Sequence, residues 1–510
     1  MTTVPARTSR PHPLRTLAWA GVVALLVIGP AFGFARLTVL RPNPHHLAVV
    51  PQVDVAGASP PAGLVARLRS LPASPSYPPV VITYHDISEQ GTDYSLTPQA
   101  FAAQMRLLHD SGWHSLTAAG FDGWLHGRPL QPHSVLITFD DGARGVWRYA
   151  DPVLRRYDLH GIAFIITGFV GTHQPYYMTW QELDRLRASG RWDLEAHTYL
   201  GHVQVPSDAI GTLQPFLATR MWLPTQHRLE TMAEFTARVR GDLTRCISDL
   251  VAHGAPRPLL FAYPFSARGV DVVGTQLHQV VRSLFDASFL DSSAGAPTRL
   301  SELLSREFRR VDVLRRVDLA RFVQSVEDSL QRPVSPLGAG NWRQAEWVST
   351  TGDAVHLPAA GPVPLSVALT GNPYAEMHLD PSHTSFWNDY RATVSLAGLR
   401  GEVGASVHAL LYSPDQVQVV VTSSRYSIYQ GSSQATRLVG EGDLPASGPD
   451  HQVEVTVRTG SVRVVVDGYL LTTLVTNTAS RGGVTVGGDP EHDAQAPALD
   501  SVSMTPLAGS

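Results

Sequence analysis

The chain has 510 residues, of which 43% are hydrophobic and 16% charged, so it is long enough for two or three domains and apolar enough to bury their cores. This composition excludes a disordered protein, and a formal net charge of −4 excludes the basic field with which proteins attract nucleic acid. Cys246 is the only cysteine, which excludes internal disulfides and thiolate clusters, so any metal site must use His, Asp or Glu.

The N-terminal part contains one segment that resembles a membrane span. Residues 17–36 begin with an uncharged apolar run long enough to cross a bilayer as a helix. Arginines within 1–16 precede it and favour a cytoplasmic N-terminus. A cleaved signal peptide is the alternative, because small residues stand near the end of the run. In both cases we expect the rest of the chain outside the cytoplasm, either anchored or secreted.

The next part changes from a spacer to an α/β pattern. Residues 37–76 are rich in proline and poor in large apolar residues, which is typical of a semi-extended linker. Over 77–330, apolar runs such as "VVITYH", "SVLITFDDG" and "IAFIITGF" alternate with helix-like segments such as "TPQAFAAQMRLLHDSG". This alternation predicts βα units with parallel strands.

Polar clusters follow four of the strand-like runs. They are Tyr84-His85-Asp86, Phe139-Asp140-Asp141-Gly142, His197-Thr198 and Tyr263-Pro264-Phe265. If the strands form a parallel barrel, their carboxyl ends lie on one face, where barrel enzymes place their active sites. The four clusters are then expected to converge.

The histidine spacing indicates the kind of site. His197 and His202 are five residues apart, so they would not share a helical face and must meet an ion from a strand end and its loop. Two imidazoles and a carboxylate leave coordination positions open, as in a catalytic site for zinc or a similar divalent ion. Such an ion makes water acidic enough to attack a carbonyl near neutral pH.

Asp140 and Asp141 are adjacent like charges directly after a buried strand. One interpretation is that one carboxylate binds the cation and the other removes a proton from water, the cation making the pair tolerable. The alternative is a polar Asp-Asp-Gly turn that caps the next helix. The residues alone do not distinguish the roles of Asp140 and Asp141.

The segments "VITYHDIS", "VLITFDDG", "LEAHTYLGH" and "LFAYPF" resemble the polysaccharide deacetylase family with the NodB-homology fold, a distorted (β/α) barrel. With the tyrosine-histidine-aspartate strand first, they are most similar to the permuted subgroup that acts on poly-N-acetylglucosamine at the bacterial surface. The resemblance implies that Asp140 is the general base and that Asp141, His197 and His202 bind the metal. Zinc is the first expectation for the metal, and nickel, cobalt or iron are alternatives.

The same resemblance indicates which residues act on the leaving group and on the oxyanion. It implies that His85 is the general acid on the departing amine, with a structural hydrogen bond as the alternative role. The backbone N–H of Phe265 would stabilise the tetrahedral oxyanion together with the metal.

Two positions depart from the family pattern. Ala262 stands where many members carry an arginine that orients the base, and Ser266 replaces the usual glycine. A substitute arginine could come from "SREFRRVDVL" (Arg306, Arg309 or Arg310), although a solvated basic helix face is the favoured interpretation of that run. The late strand-like run offers two further candidate carboxylates, Asp286 and Asp291.

The C-terminal part has a different pattern. After a linker at 331–341, residues 342–510 show short alternating strands with turn signals, such as "HQVEVTVRTGSVRVVVDG". This predicts an all-β domain similar to concanavalin-like jelly rolls, with carbohydrate binding as a candidate role. Five aromatic residues are weighed as sugar contacts or core: Trp342, Trp347, Trp387, Tyr426 and Tyr429.

These expectations combine into one functional hypothesis. The protein is predicted to be a metal-dependent deacetylase that hydrolyses N-acetyl groups of a cell-surface amino-sugar polymer, held at the membrane by its N-terminal helix. Peptidoglycan is the alternative polymer, and an O-acetyl ester is a third substrate. A non-catalytic polysaccharide-binding wall protein is the alternative from another class. Nucleic acid is not expected as a partner, and protein partners are left open.

Overall fold

A computed structural model of the protein describes residues 48–507 apart from 74–76, 293–294, 299, 332–336, 339, 352, 374, 380–383, 385, 412, 433–434 and 479. The predicted anchor at 17–36 therefore lies outside the described residues. Within the described ranges, none of the helices combines the length and the apolar character needed to cross a membrane.

The first domain is built on a closed barrel of seven parallel strands. Along the barrel the order is β1, β14, β13, β12, β7, β6 and β5, and β5 pairs again with β1. The barrel strands are β1 (Val80–Tyr84), β5 (Ser134–Phe139), β6 (Gly161–Ile166), β7 (Trp192–Thr198), β12 (Leu260–Ala262), β13 (Ala287–Ser292) and β14 (Glu307–Asp312). A short strand, β4 (His114–Ser115), adds to the outside of β5. The α/β barrel prediction is confirmed.

Three short two-stranded pairs lie in the loops of this barrel. They are β2 (Asp86–Ile87), which pairs with β3 (Ser95–Leu96), β8 (Gln204–Pro206) with β9 (Leu213–Pro215), and β10 (Trp222–Leu223) with β11 (Arg228–Leu229).

Helices pack around the barrel. They are α1 (Ala62–Arg69), α2 (Pro98–Asp110), α3 (Ala118–Leu125), α4 (Asp151–Arg156), α5 (Trp180–Ala188), α6 (Met232–Ala252), α7 (Asp271–Arg282), α8 (Leu300–Ser305) and α9 (Leu319–Asp328). Capping boxes start α5 and α6, where Thr179 pairs with Glu182 and Thr231 with Glu234. The buried face of α6 includes Cys246, which is fully buried.

The barrel strands are buried on both faces, as expected of a parallel sheet covered by helices. In β5 every residue is buried, and alternate side chains enter two different clusters. Ile137 packs outward against the helices, whereas Leu136 packs inside the barrel with Phe164 and Phe308. The strand direction places the carboxyl ends of all seven strands at one rim.

The segment before the barrel differs from a free spacer. Residues 48–73, predicted as part of the linker at 37–76, pack on the barrel helices and include α1. The backbone N–H of Val50 donates to Glu182, and Trp147 Nε1 donates to the carbonyl of Val50. Gln52 Nε2 donates to Asp151 at 2.7 Å. An extended proline-rich chain can be ordered by such contacts without any local periodicity.

The C-terminal domain is an antiparallel two-sheet sandwich, which confirms the all-β prediction. One sheet contains β15 (Trp347–Ser349), β17 (Glu376–Leu379), β26 (Val484–Gly488), β19 (Ala405–Ala409), β20 (Gln416–Val421), β21 (Arg425–Ser432) and β22 (Ala435–Asp443). The other contains β16 (Val363–Pro364), β27 (Ala498–Pro506), β18 (Tyr390–Ala397), β23 (His451–Arg458), β24 (Ser461–Val466) and β25 (Tyr469–Val475), and a short helix, α10 (Val367–Thr370), lies beside the sandwich.

The aromatic residues of this domain divide by burial. Trp342, Trp347 and Trp387 are at most 4% exposed and belong to the core between the sheets. Tyr426 and Tyr429 are half-buried. The three tryptophans therefore stabilise the sandwich and do not contact a ligand at its surface.

Candidate active site

Asp141, His197 and His202 meet at the carboxyl-end rim of the barrel. Asp141 follows β5, His197 lies near the end of β7, and His202 follows in the next loop. Asp141 Oδ1 lies 3.5 Å from His197 Nε2 and 3.4 Å from His202 Nε2. One ligand atom from each residue falls within 4.8 Å of the others.

The chemistry of these three groups fits a divalent ion. His197 Nδ1 lies 2.7 Å from the carbonyl of Ala262, which can only accept, so Nδ1 carries the proton and Nε2 presents a lone pair to Asp141. Asp141 Oδ1 is buried and accepts no hydrogen bond within the described part of the chain. Two nitrogens and one carboxylate oxygen form a donor set suited to zinc and similar metals.

The backbone that presents Asp141 is constrained. Asp141 has φ +70° and Gly142 has φ +83°, so the chain makes a left-handed turn directly after β5. Aspartate tolerates this conformation better than most residues with a Cβ. Asp140 N donates to the carbonyl of Tyr84, and this hydrogen bond ties the turn to β1. The turn separates the two carboxylates so that they face different partners.

Asp140 is held by Arg310 of β14. Arg310 Nη1 and Nη2 donate to the two carboxylate oxygens of Asp140 at 2.7 and 2.6 Å, and both side chains are almost fully buried. Burial favours the protonated acid, but the guanidinium charge outweighs this and lowers the pKa of Asp140. Asp140 therefore stays ionised and oriented at neutral pH.

The favoured interpretation of "SREFRRVDVL" as a solvated helix face is wrong. Residues 307–312 form β14, in which Arg310 points into the barrel beside the aromatic rings of Phe164 and Phe289. Arg309, its neighbour, points outward and pairs with Glu302. Arg310 of β14 thus holds Asp140, whereas Ala262 has no side chain that could do so.

Asp291 and Ser266 extend this network. Arg310 Nη2 and Nε donate to Asp291 Oδ1 at 2.6 and 3.0 Å. Ser266 Oγ donates to Asp291 Oδ2 at 2.9 Å and accepts from the backbone N–H of Asp291 at 2.8 Å. The serine that replaces the usual glycine therefore links the loop after β12 to the arginine. Asp286 precedes β13 at the opposite end of the strand, and the structure does not bring it to the site.

His85 lies close to Asp140 and Asp291. One ligand atom each of His85, Asp140 and Asp291 falls within 4.8 Å of the others. His85 Nδ1 is 3.8 Å from Asp312 Oδ1, a buried oxygen without a hydrogen bond in the described residues. Burial raises the pKa of Asp312 to about 6, although the charge of His85 opposes that shift. Asp312 is not among the residues that the sequence predicts for the site, although it ends β14 much as Asp140 follows β5.

Phe265 projects from the loop after β12. Its backbone has φ +58°, which a bulky residue rarely adopts, and its side chain is 47% exposed. The phenyl ring packs on His202 with 4.2 Å between ring centroids. The predicted oxyanion donor therefore lies next to a predicted metal ligand.

Close packing at Gly145 fixes the segment that carries His85. A Cβ on Gly145 would lie 2.1 Å from the carbonyl oxygen of Ile87 and 2.2 Å from Asp86 Oδ1. We expect Gly145→Ala to displace this segment and lower the free energy of unfolding by about 1–3 kcal/mol. Denaturant unfolding measures the change. The matched control is Gly241→Ala in α6, where a Cβ meets nothing within 4 Å and alanine should stabilise the helix by up to about 1 kcal/mol. A Gly145→Ala protein as stable as the wild type would contradict this prediction.

Comparison with known proteins agrees with this geometry. Residues 127–281 match the polysaccharide deacetylase family. The chain contains a polysaccharide deacetylase domain. The deacetylase match includes Asp140, Asp141, His197 and His202, whereas His85, directly after β1, and Arg310, in β14, lie outside it.

Two curated relatives and one solved structure are similar to part of this chain. The chain is 25% identical over 237 residues to the poly-beta-1,6-N-acetyl-D-glucosamine N-deacetylase of Escherichia coli K12, a match that covers 42% of this chain and 35% of that protein. It is 30% identical over 115 residues to the enzyme of the same name from Staphylococcus epidermidis, covering 22% of this chain and 40% of the relative. The chain thus spans about a third of the length of the first relative. The deacetylase domain of BpsB from Bordetella bronchiseptica matches with a TM-score of 0.40 and 20% identity, over 47% of this chain and 97% of that one.

Proposed function

We propose that this protein is a metal-dependent N-deacetylase that hydrolyses acetamido groups of a cell-surface polymer of N-acetylglucosamine, with β-1,6 linkage as in the names of its relatives. The observation that carries the proposal is the division of two adjacent carboxylates: Asp141 faces His197 and His202, whereas Asp140 is gripped by Arg310. A turn that only capped a helix would not need two such different environments.

Each group has a task in amide hydrolysis. A divalent ion held by Asp141, His197 and His202 would supply Lewis acidity to the acetyl carbonyl and to water. Asp140, kept ionised by Arg310, accepts the proton of the attacking water. The C–O bond of acetate forms as the C–N bond to the sugar breaks.

The remaining groups serve the oxygen and the nitrogen of the amide. The N–H of Phe265 donates to the carbonyl oxygen as negative charge develops on it. His85, in its protonated form, gives a proton to the leaving nitrogen, so that the sugar departs as an amine. Asp312 Oδ1 lies 3.8 Å from His85 Nδ1 and can orient that ring.

Acetate release from a β-1,6-linked N-acetylglucosamine polymer tests the proposal. We expect release by the wild-type protein, its loss on chelation of divalent ions, and its recovery when one metal of the series zinc, nickel, cobalt or iron is restored. Peptidoglycan and an O-acetylated sugar, assayed beside it, test the alternative substrates. A metal-loaded protein that releases acetate from none of these polymers would overturn the proposal and favour a polysaccharide-binding wall protein.

The charge of Asp312 should set the acid side of the pH profile. Burial raises the pKa of Asp312 to about 6, so the carboxylate that lies 3.8 Å from His85 Nδ1 is lost as the pH falls through that value. Asparagine carries no charge at any pH. We expect Asp312→Asn to lower kcat/KM by about tenfold at pH 8 and to remove the part of the acid limb near pH 6, measured from the rate across pH 5–10. An acid limb and a rate unchanged from those of the wild type would separate Asp312 from the acid step.

The proposed location of the enzyme rests on the apolar run at 17–36. We place the catalytic domain outside the cytoplasm, where a surface polymer is accessible, with this run as a membrane anchor or a cleaved signal. Detection of the full-length protein in the membrane fraction supports the anchor, and a shortened form in the medium supports cleavage.

A further inference from the structure

Three large aromatic side chains stand exposed around the candidate active site. Tyr94 is 53% exposed, Phe265 is 47% exposed and Tyr176 is 40% exposed. Each comes from a different loop at the rim, and a soluble protein gains nothing in stability from leaving such rings in water. We call these three residues the aromatic rim.

Tyr94 is fixed beside the proposed acid. Its ring packs edge-on against His85, with 4.9 Å between centroids and 64° between planes. Its carbonyl accepts from the backbone N–H of Asp86, and the next residues pair with Asp86–Ile87 as β3 and β2. Tyr94 therefore moves with the segment that carries His85.

Phe265 and Tyr176 are fixed on the metal side. Phe265 packs on His202 in a left-handed backbone conformation that only its surroundings can maintain. The carbonyl of Tyr176 accepts from Arg144 N at 2.6 Å, which ties its loop to the turn after Asp141. Its ring stands perpendicular to that of Tyr177, 4.8 Å away.

We infer that the aromatic rim binds the sugar residues on either side of the one that is deacetylated, so that the enzyme acts on internal residues of an amino-sugar chain. The inference rests on the proposed function and adds to it the part of the polymer that is recognised. Aromatic rings offer rigid, amphipathic surfaces on which the C–H faces of a sugar can pack while its hydroxyls stay in water. Rings beside His85 and beside His202 stand on the leaving-group and carbonyl sides of the reacting amide.

Binding measurements without turnover test the aromatic rim. In an Asp140→Asn background, we compare by calorimetry a β-1,6-linked N-acetylglucosamine pentamer with the single sugar. We expect Tyr94→Ala and Tyr176→Ala each to weaken pentamer binding about tenfold and to change binding of the single sugar less than twofold. Tyr94→Phe and Tyr176→Phe keep the ring and should restore pentamer binding. Tyr469→Ala is the matched control, because Tyr469 is 56% exposed on the C-terminal sandwich.

The outcomes separate this inference from the proposed function. Pentamer binding that depends on Tyr94 and Tyr176, without acetate release by the wild type, would overturn the function and leave the rim standing. Alanine variants that bind the pentamer as tightly as Tyr469→Ala, or a protein that does not bind the pentamer, would overturn the rim. Equal losses of affinity for the pentamer and for the single sugar would also overturn the rim, since they indicate that the substitution has distorted the active site.

Discussion

Arg310→Met is expected to lower the free energy of unfolding by about 3–5 kcal/mol and to reduce acetate release by about a thousandfold. The guanidinium of Arg310 is fully buried and pairs with Asp140 and Asp291. Methionine fills much of its volume but leaves the buried Asp140 carboxylate without a counter-charge. That carboxylate then either stays charged, destabilises the fold and loses its fixed orientation toward water, or takes up a proton and can no longer accept one. Denaturant unfolding and initial rates measure the two effects.

The controls for Arg310 come from the same strand. Arg309→Met removes an arginine whose side chain is 28% exposed and paired with Glu302, so we expect a change of about 1 kcal/mol or less. Adding Asp140→Asn to Arg310→Met removes the unpaired charge and should restore part of the lost stability. An Arg310→Met protein that is as stable as Arg309→Met would contradict the role of this ion pair.

The second large effect distinguishes the two adjacent carboxylates. Asp140→Asn removes the proton acceptor and should reduce acetate release by about 10²–10⁴-fold while metal binding stays within a few-fold. Asp141→Asn should weaken metal binding by at least about 100-fold. Asparagine also tolerates the left-handed backbone at 141, so the fold should be kept. Metal titration of the chelated protein and initial rates give both readouts.

The opposite pattern of metal binding by the two variants would contradict this prediction. If Asp140→Asn loses the metal and Asp141→Asn keeps it, the roles assigned to the two residues are reversed. Zinc binding followed by circular dichroism of both variants confirms that neither result comes from unfolding.

The sequence predicts the convergence of the site because its signals are local. His85, Asp140 and His197 each lie at or beyond the end of an apolar strand, and parallel strands of one barrel bring their carboxyl ends to the same rim. The same reasoning applies to the Pro-Phe pair after β12. Such a prediction needs only the order of strands and the direction in which they run.

The pairing of Arg310 with Asp140 could not be predicted in this way. The segment around Arg310 is dense in charge and resembles a solvated helix, because the carboxylates that compensate its burial come from β5 and β13. Phe308 and Arg310 both point into the barrel, and this alternation is what distinguishes Arg310 from Arg309. The alternation can be recognised only once the segment is known to be a strand. The packing of residues 48–73 is similarly non-local, since it depends on Glu182, Trp147 and Asp151.

The position of β14 between β13 and β1 also has a consequence for biosynthesis. Asp141, His197 and His202 come from β5, β7 and the loop that follows, which are close in sequence and can pair early as the chain emerges. Arg310 is made only after α6 and α7, and β14 must then insert beside β1 from the start of the domain. Synthesis of β14 therefore does two things at once: it closes the barrel between β13 and β1, and it brings Arg310 to Asp140. On the proposed roles, the site cannot become active before this last strand is in place.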